Sequence, residues 1–267
     1  MLYPTEEEIE EMFQRLCQEH IEPCETCNGT GRVPLETNWI EDKIPDTAFV
    51  DCDCKGYVHA RLDVFEAGVP RNMWDVDEID PEFNIKCFKV TRRFGDDLEH
   101  GRQKSKSFRA GLSLLLVGEN GTGKTSSATI ALLGALEGGF SAAMLSWPLL
   151  INGLYQNRFN LSIQKSLWSR LMRDMVILDE IGKETVPASA KDFVITTLDQ
   201  VIRKRRGECL PTILITNYTL TQFSRQYGAS VSSLIAPPYK VLAYKPGDYR
   251  RRLTASWDDF LNPEQHE

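Results

Sequence analysis

The chain has 267 residues, 42% hydrophobic and 26% charged, with a net charge of −7. It contains no apolar run long enough to cross a bilayer, which excludes a helical membrane protein. The acidic opening, residues 1–11, argues against a secretory signal and sets the expectation of a cytoplasmic protein. The charge is divided: residues 1–100 hold 24 acidic against 10 basic side chains, hence −14, whereas residues 101–267 hold 14 against 21, hence +7. A basic half suited to nucleic acid therefore follows an acidic half suited to a protein partner.

Residues 6–19 read as a helix, with Ile9, Met12, Phe13 and Leu16 on one stripe, Thr5 as cap and Glu8 three residues on. Such a stripe packs on its own protein or docks on a partner. Next come two tight cysteine pairs, Cys24-x-x-Cys27 and Cys52-x-Cys54, separated by 24 residues. Four thiolates in two short loops are what tetrahedral zinc requires. Gly29 and Gly31 follow the first pair and let backbone N–H groups approach the sulfurs. In the second pair His20 or His59 could replace one ligand, and buried or free thiols are the plain alternative. Nothing in the sequence suggests export, so disulfides are a poor reading. Cys17, Cys87 and Cys209 fall in apolar or scattered contexts and read as packing residues. Residues 102–109, with Arg102, Lys104, Lys106 and Arg109, form either a basic linker or a nucleic-acid contact.

The apolar run 112–117 then leads into Gly118, Glu119, Asn120, Gly121, Thr122, Gly123, Lys124 and Thr125, a complete G-x-x-x-x-G-K-T phosphate loop, with Ser126 opening an Ala-rich helix. Glycines let successive N–H groups turn inward, and the helix start aims its positive dipole end at phosphates. Lys124 is expected to reach the β and γ phosphates of a nucleoside triphosphate, and Thr125 to supply a hydroxyl to Mg2+. A strand is expected at 142–146. Between it and the next strand, residues 146–173 interleave Trp147, Tyr155, Arg158, Phe159, Lys165, Trp168 and Arg170, a mixture that can stack bases and hold phosphates but that also suits a helical core. Residues 175–180 form a buried strand ending in Asp179 and Glu180. Asp179 is expected to hold magnesium through water, and Glu180 to polarise the attacking water. The strand 212–216 delivers Asn217, whose amide can orient that water. Strands alternating with helices imply a parallel α/β sheet, whose carboxyl edge is where ligands sit.

At this point the chain resembles the AAA+ ATPases, and within them the bacterial helicase loaders of the DnaC type and their relatives, including the ATPase helpers of some transposases. The resemblance rests on residues 118–125, 177–180, 211–217 and 247–250, and on the approach segment 52–74, where Cys-Asp-Cys, a basic residue and Gly-Val-Pro-Arg precede the core. It implies an AAA+ P-loop core with a parallel sheet flanked by helices at 69–267, after a small N-terminal helical and zinc-binding domain at 1–68. It implies ATP, Mg2+ and Zn2+ as cofactors, Asn217 as sensor 1 and Arg250 as a sensor 2 arginine on the nucleotide. Taken alone, Arg250 belongs to a solvated basic cluster with Arg251 and Arg252.

It further implies an ATPase that grips a replicative hexameric helicase with its N-terminal region and places it on single-stranded DNA, with residues 146–173 facing that DNA. The chain is then expected to be oligomeric when bound to the helicase. A transposition helper and a non-catalytic nucleotide-bound adaptor are the alternatives. One departure bears on turnover: where such loaders carry Ser-Arg-Leu with a finger arginine, this chain has Ser232-Ser233-Leu234. An arginine finger is worth several orders of magnitude, so hydrolysis is expected to be weak or partner-dependent. Arg225 or Arg205 could stand in, although each reads by itself as a surface charge.

Overall fold

The structure is a computed structural model and describes residues 4–34, 49–76, 84–235 and 238–247. It divides into two compact units, one ending at Trp74 and the other beginning at Asp75.

In the first unit, helix α1 (Glu6–His20) starts from Thr5 through a reciprocal capping box: Glu8 N–H donates to the Thr5 hydroxyl at 3.2 Å, and Thr5 N–H donates to the Glu8 carboxylate at 2.7 Å. Leu16 is the buried member of its apolar stripe, and α1 packs against α2 (Asp53–Glu66). Strands β1 (Arg32–Pro34) and β2 (Phe49–Asp51) pair antiparallel, with Val33 opposite Val50.

The second unit is a five-stranded parallel sheet: β3 (Ser113–Val117), β4 (Ala142–Ser146), β5 (Met175–Ile181), β6 (Thr212–Thr216) and β7 (Tyr239–Ala243), in the order β4-β5-β6-β3-β7. Strands β3 and β6 are buried at every position, as a sheet covered on both faces demands. The helices are α3 (Ile85–Glu99), α4 (Gly101–Lys104), α5 (Lys106–Arg109), α6 (Lys124–Glu137), α7 (Trp147–Gln156), α8 (Leu161–Leu171), α9 (Lys191–Gly207) and α10 (Leu220–Leu234). Helices α3 and α6 pack closely: a Cβ on Gly134 would lie 2.7 Å from the Gly95 carbonyl oxygen. The sequence reading anticipates four of the five strands and misses β7, whose register against β3 runs from Ser113↔Tyr239 to Val117↔Ala243. Among the described residues no helix is long and apolar enough to cross a membrane.

The basic stretch 102–109 is not an extended linker. It forms two short helices around Ser105, whose hydroxyl and neighbours are fastened by Asp97: the Ser105 hydroxyl and Ser107 N–H both donate to its carboxylate at 2.7 Å. Arg102 is tied to Asp174 and lies over the rings of Phe108 and Phe140. Arg205 is a second correction. It is fully buried, not a surface charge, and its guanidinium donates to Thr212 Oγ1 and to the carbonyls of Leu171, Arg173, Asp174 and Pro211. Burial pulls it down to about 10, so it stays charged at neutral pH.

Candidate nucleotide and metal sites

Parallel pairing puts the exits of β3, β5 and β6 on one edge, and the polar residues of three separate segments meet there. The phosphate loop leaves β3 at Gly118, with φ 149°. A Cβ at this position would lie 2.7 Å from the Tyr244 carbonyl oxygen, so only glycine fits. Gly123, with φ 85°, is the N-cap of α6. Lys124 Nζ donates to the carbonyls of Gly118 at 2.8 Å and Glu119 at 2.6 Å, which holds the ammonium against the loop's first two residues. Thr122 accompanies it, buried, with its hydroxyl on the Glu119 carbonyl at 2.9 Å.

From β5, Asp179 Oδ2 accepts from Thr125 Oγ1 at 2.9 Å, and its Oδ1 accepts from Glu180 N–H at 2.7 Å. Burial raises the Asp179 carboxyl above its ordinary value of 3.8, against the lowering effect of those two donors. A hydroxyl and a carboxylate in contact at the start of a helix form an all-oxygen donor pair that fits Mg2+, with Thr125 as ligand and Asp179 beside it. The register of β5 against β6 shifts between Leu178 and Ile181, and Glu180 sits inside that irregularity with φ 63°. A left-handed backbone at a glutamate stores strain of about 1–3 kcal/mol, a cost that concentrates at functional positions. From β6, Asn217 Nδ2 donates to Asn120 Oδ1 at 2.8 Å, so the amide of one strand exit touches the phosphate loop of another.

The sequence reading misses two neighbours of this edge. Lys183 Nζ lies 2.8 Å from Glu180 Oε1, and the Tyr218 hydroxyl donates to the Gly182 carbonyl at 2.9 Å. A lysine three residues past an acidic pair is a readable signal, whereas the Tyr218 contact, 36 residues away in sequence, is not. The fold thus draws the loop residues 118–123 together with Lys124, Thr125, Asp179, Glu180 and Asn217. Ser126 is half-buried on the first turn of α6. Arg250 lies outside the described residues. Ser232 and Ser233 lie on α10 beyond Gly228, whose φ of 81° breaks the helix, and both hydroxyls donate to local carbonyls. Arg225 is exposed on the same helix.

In the first unit the sulfurs of Cys24, Cys27, Cys52 and Cys54 all lie within 4.8 Å of one another. Cys24 to Cys52 measures 3.9 Å and Cys27 to Cys54 3.6 Å. A tetrahedron with zinc–sulfur bonds of about 2.3 Å has sulfur–sulfur edges of about 3.8 Å, so the set fits that ion. Gly31 N–H donates to Cys27 Sγ at 3.2 Å, as the glycines after the pair suggest. Backbone N–H donation from Cys27 draws the Cys24 thiol down to about 7, towards the thiolate that a metal needs. The histidines are engaged elsewhere: His20 meets the Tyr57 ring edge-on at 4.6 Å, and His59 lies 6.0 Å from Phe13.

The candidate nucleic-acid residues do not act as one set. Trp147 is fully buried and belongs to the core, and Tyr155 packs on Phe193. At the turn between α7 and α8, Phe159 is 86% exposed, and the Arg158 guanidinium lies 4.9 Å from the rings of both Phe159 and Tyr155. Lys165 is exposed, and Trp168 lies under Lys204.

Comparison with known proteins agrees with this geometry. Residues 105–234 match the family of IstB-like ATP binding proteins. Among curated proteins no sequence matches the chain. The fold is similar to the crystal structure of the DnaC helicase loader (23% identity, TM-score 0.55, 66% of this chain and 100% of that one) and to that of DnaI (18%, 0.51, 68% and 94%). It is similar also to domain III of the Thermotoga maritima replication initiation protein DnaA (12%, 0.53, 74% and 77%). Residues 105–234 are therefore similar to IstB-like ATP binding proteins, and the unit around them shares the fold of these solved structures, a parallel sheet flanked by helices.

Proposed function

We propose that this chain is an ATP-dependent helicase loader, which binds a replicative hexameric helicase through its N-terminal unit and helps place that ring on single-stranded DNA in the cytoplasm. The observation that carries the reading is the pairing, in one chain, of an AAA+ unit with the DnaC and DnaI fold and an acidic unit built round four clustered thiols. The charge division supports it: −14 over residues 1–100 suits a protein partner, and +7 over residues 101–267 suits DNA. The exposed Arg158 and Phe159 at the α7–α8 turn supply a cation and a ring for a single strand.

At the nucleotide, Lys124 holds the β and γ phosphates, and Glu180 accepts the proton of the attacking water. Asn217 orients that water, and Arg250 contacts the γ-phosphate. Magnesium, when bound by Thr125 and Asp179, neutralises charge on the phosphates. With serines at 232 and 233, turnover is slow until a partner completes the site. A second reading, a transposition helper, is favoured by the match of residues 105–234 to IstB-like proteins.

Native mass spectrometry of the tagged chain, purified from its source cells with ATP present, tests the choice. Recovery on a hexameric helicase supports the loader and gives the stoichiometry. Recovery with a transposase supports the helper, and recovery alone as a nucleotide-bound monomer supports an adaptor.

A further inference from the structure

Asn84 precedes α3 from a left-handed backbone, φ 56° and ψ 26°, and its side chain makes no bond to the helix it caps. Instead Nδ2 donates to the Lys245 carbonyl at 3.1 Å and to the Thr122 carbonyl at 3.3 Å, while Oδ1 accepts from Lys245 N–H at 2.7 Å. The two bonds with Lys245 copy those that neighbouring strands exchange, across 161 residues of sequence. One side chain therefore fastens the exit of β7 to the phosphate loop.

Neighbouring residues brace the same junction. Phe88, one turn along α3, meets the Tyr244 ring at 6.3 Å, and the Tyr244 hydroxyl donates to Ser127 Oγ at 2.7 Å. Tyr244 also closes on Gly118, as the forbidden Cβ there shows. The loop is thus gripped at its first residue by Tyr244 and near its end by Asn84.

The grip on Thr122 has a directional consequence. A peptide unit is planar and trans, so its C=O and the following N–H point opposite ways. Holding the Thr122 carbonyl towards Asn84 turns Gly123 N–H away from Asn84. We infer that Asn84 is a positioning residue for the nucleotide: by fixing the Thr122–Gly123 peptide it aims Gly123 N–H at the phosphates. The inference rests on the ATP-binding reading of residues 118–125.

The test is binding of a fluorescent ATP analogue with magnesium, with steady-state kinetics, for the full chain and for Asn84→Ala, Asn84→Asp and Lys124→Ala. Asn84→Ala should raise Kd and KM for ATP about tenfold with little change in kcat, the size expected for losing one positioned hydrogen bond. Asn84→Asp keeps an acceptor for Lys245 N–H but turns a carboxylate towards two carbonyls. It should bind ATP more weakly than Asn84→Ala, while its nucleotide-free melting temperature matches the parent, because an acidic group suits a helix N-terminus. ATP binding in both Asn84 variants within twofold of the parent, with Lys124→Ala unable to bind, overturns the inference and spares the ATP site. Parent-like binding by Lys124→Ala overturns the ATP site itself. An affinity loss that tracks a lowered nucleotide-free melting temperature in both Asn84 variants reduces the residue to a structural role and also overturns the inference.

Discussion

Arg205 offers a quantitative test of how the second unit is held together. Its five hydrogen bonds, 2.6–3.2 Å long, join the end of α9 to the end of α8, to the approach to β5 and to the start of β6. In Arg205→Ala the Pro211 carbonyl keeps the Val176 N–H at 3.3 Å, and Thr212 Oγ1 still donates to the Leu210 carbonyl. The carbonyls of Leu171, Arg173 and Asp174 lose the guanidinium. At roughly 1–1.5 kcal/mol for each carbonyl stranded in the interior, the loss is about 3–5 kcal/mol. Relief from burying a cation offsets part of it, and the cavity left by a long side chain restores a similar amount. Arg205→Lys keeps the charge but not the planar fork, and should lose about 2 kcal/mol. Urea unfolding of the intact chain, followed by tryptophan fluorescence, reads both values. A loss below about 1 kcal/mol in Arg205→Ala refutes the reasoning. So does a normal unfolding midpoint combined with lost turnover in the helicase-bound assembly, which is the signature of a finger arginine.

Three other outcomes are expected. Because burial raises the Asp179 carboxyl, the folded chain holds that proton more tightly than the unfolded one; the charged form costs stability above the folded pKa, and the cost is relieved as pH falls through it towards 3.8. Asp179→Asn should therefore melt higher than the parent at neutral pH in chelator without nucleotide, as read by scanning calorimetry, and a lower melting point contradicts the assignment. The purified chain should carry about one zinc ion by plasma mass spectrometry and Cys24→Ser almost none; a metal-free parent with four reactive thiols counts against the centre. In fluorescence anisotropy, Phe159→Ala should weaken single-stranded DNA binding roughly tenfold, the worth of one stacked base, and unchanged affinity removes the α7–α8 turn from the DNA path.

That these residues would meet at one sheet edge was legible because phosphate-binding chemistry asks for residue types at fixed spacing: glycines where the chain curls, a lysine and a hydroxyl at the helix start, carboxylates at a strand exit. The four thiols were legible for the same reason. Arg205 was misread because Arg203, Lys204, Arg205 and Arg206 look like one solvated run. Yet the buried face of α9 passes through Val194, Leu198, Val201, Ile202 and Arg205, so helical spacing already carried the residue inward. Trp147 read equally as a base-stacking ring or as core; it directly follows a buried strand, and its ring is wholly covered. The left-handed Glu180 and the Asn84 bonds were not legible at all. The first depends on a slip in strand register and the second on a contact between residues 161 apart, and neither leaves a local pattern.

The central claim is that this edge hydrolyses ATP with Glu180 as the base. Phosphate release should be measured for the parent chain and for Glu180→Gln, with magnesium, single-stranded DNA and the hexameric helicase present, alongside ATP binding. The account expects Glu180→Gln to bind ATP as the parent does and to lose turnover at least about 100-fold, the lower range for removing a general base. Turnover equal to the parent's would contradict it.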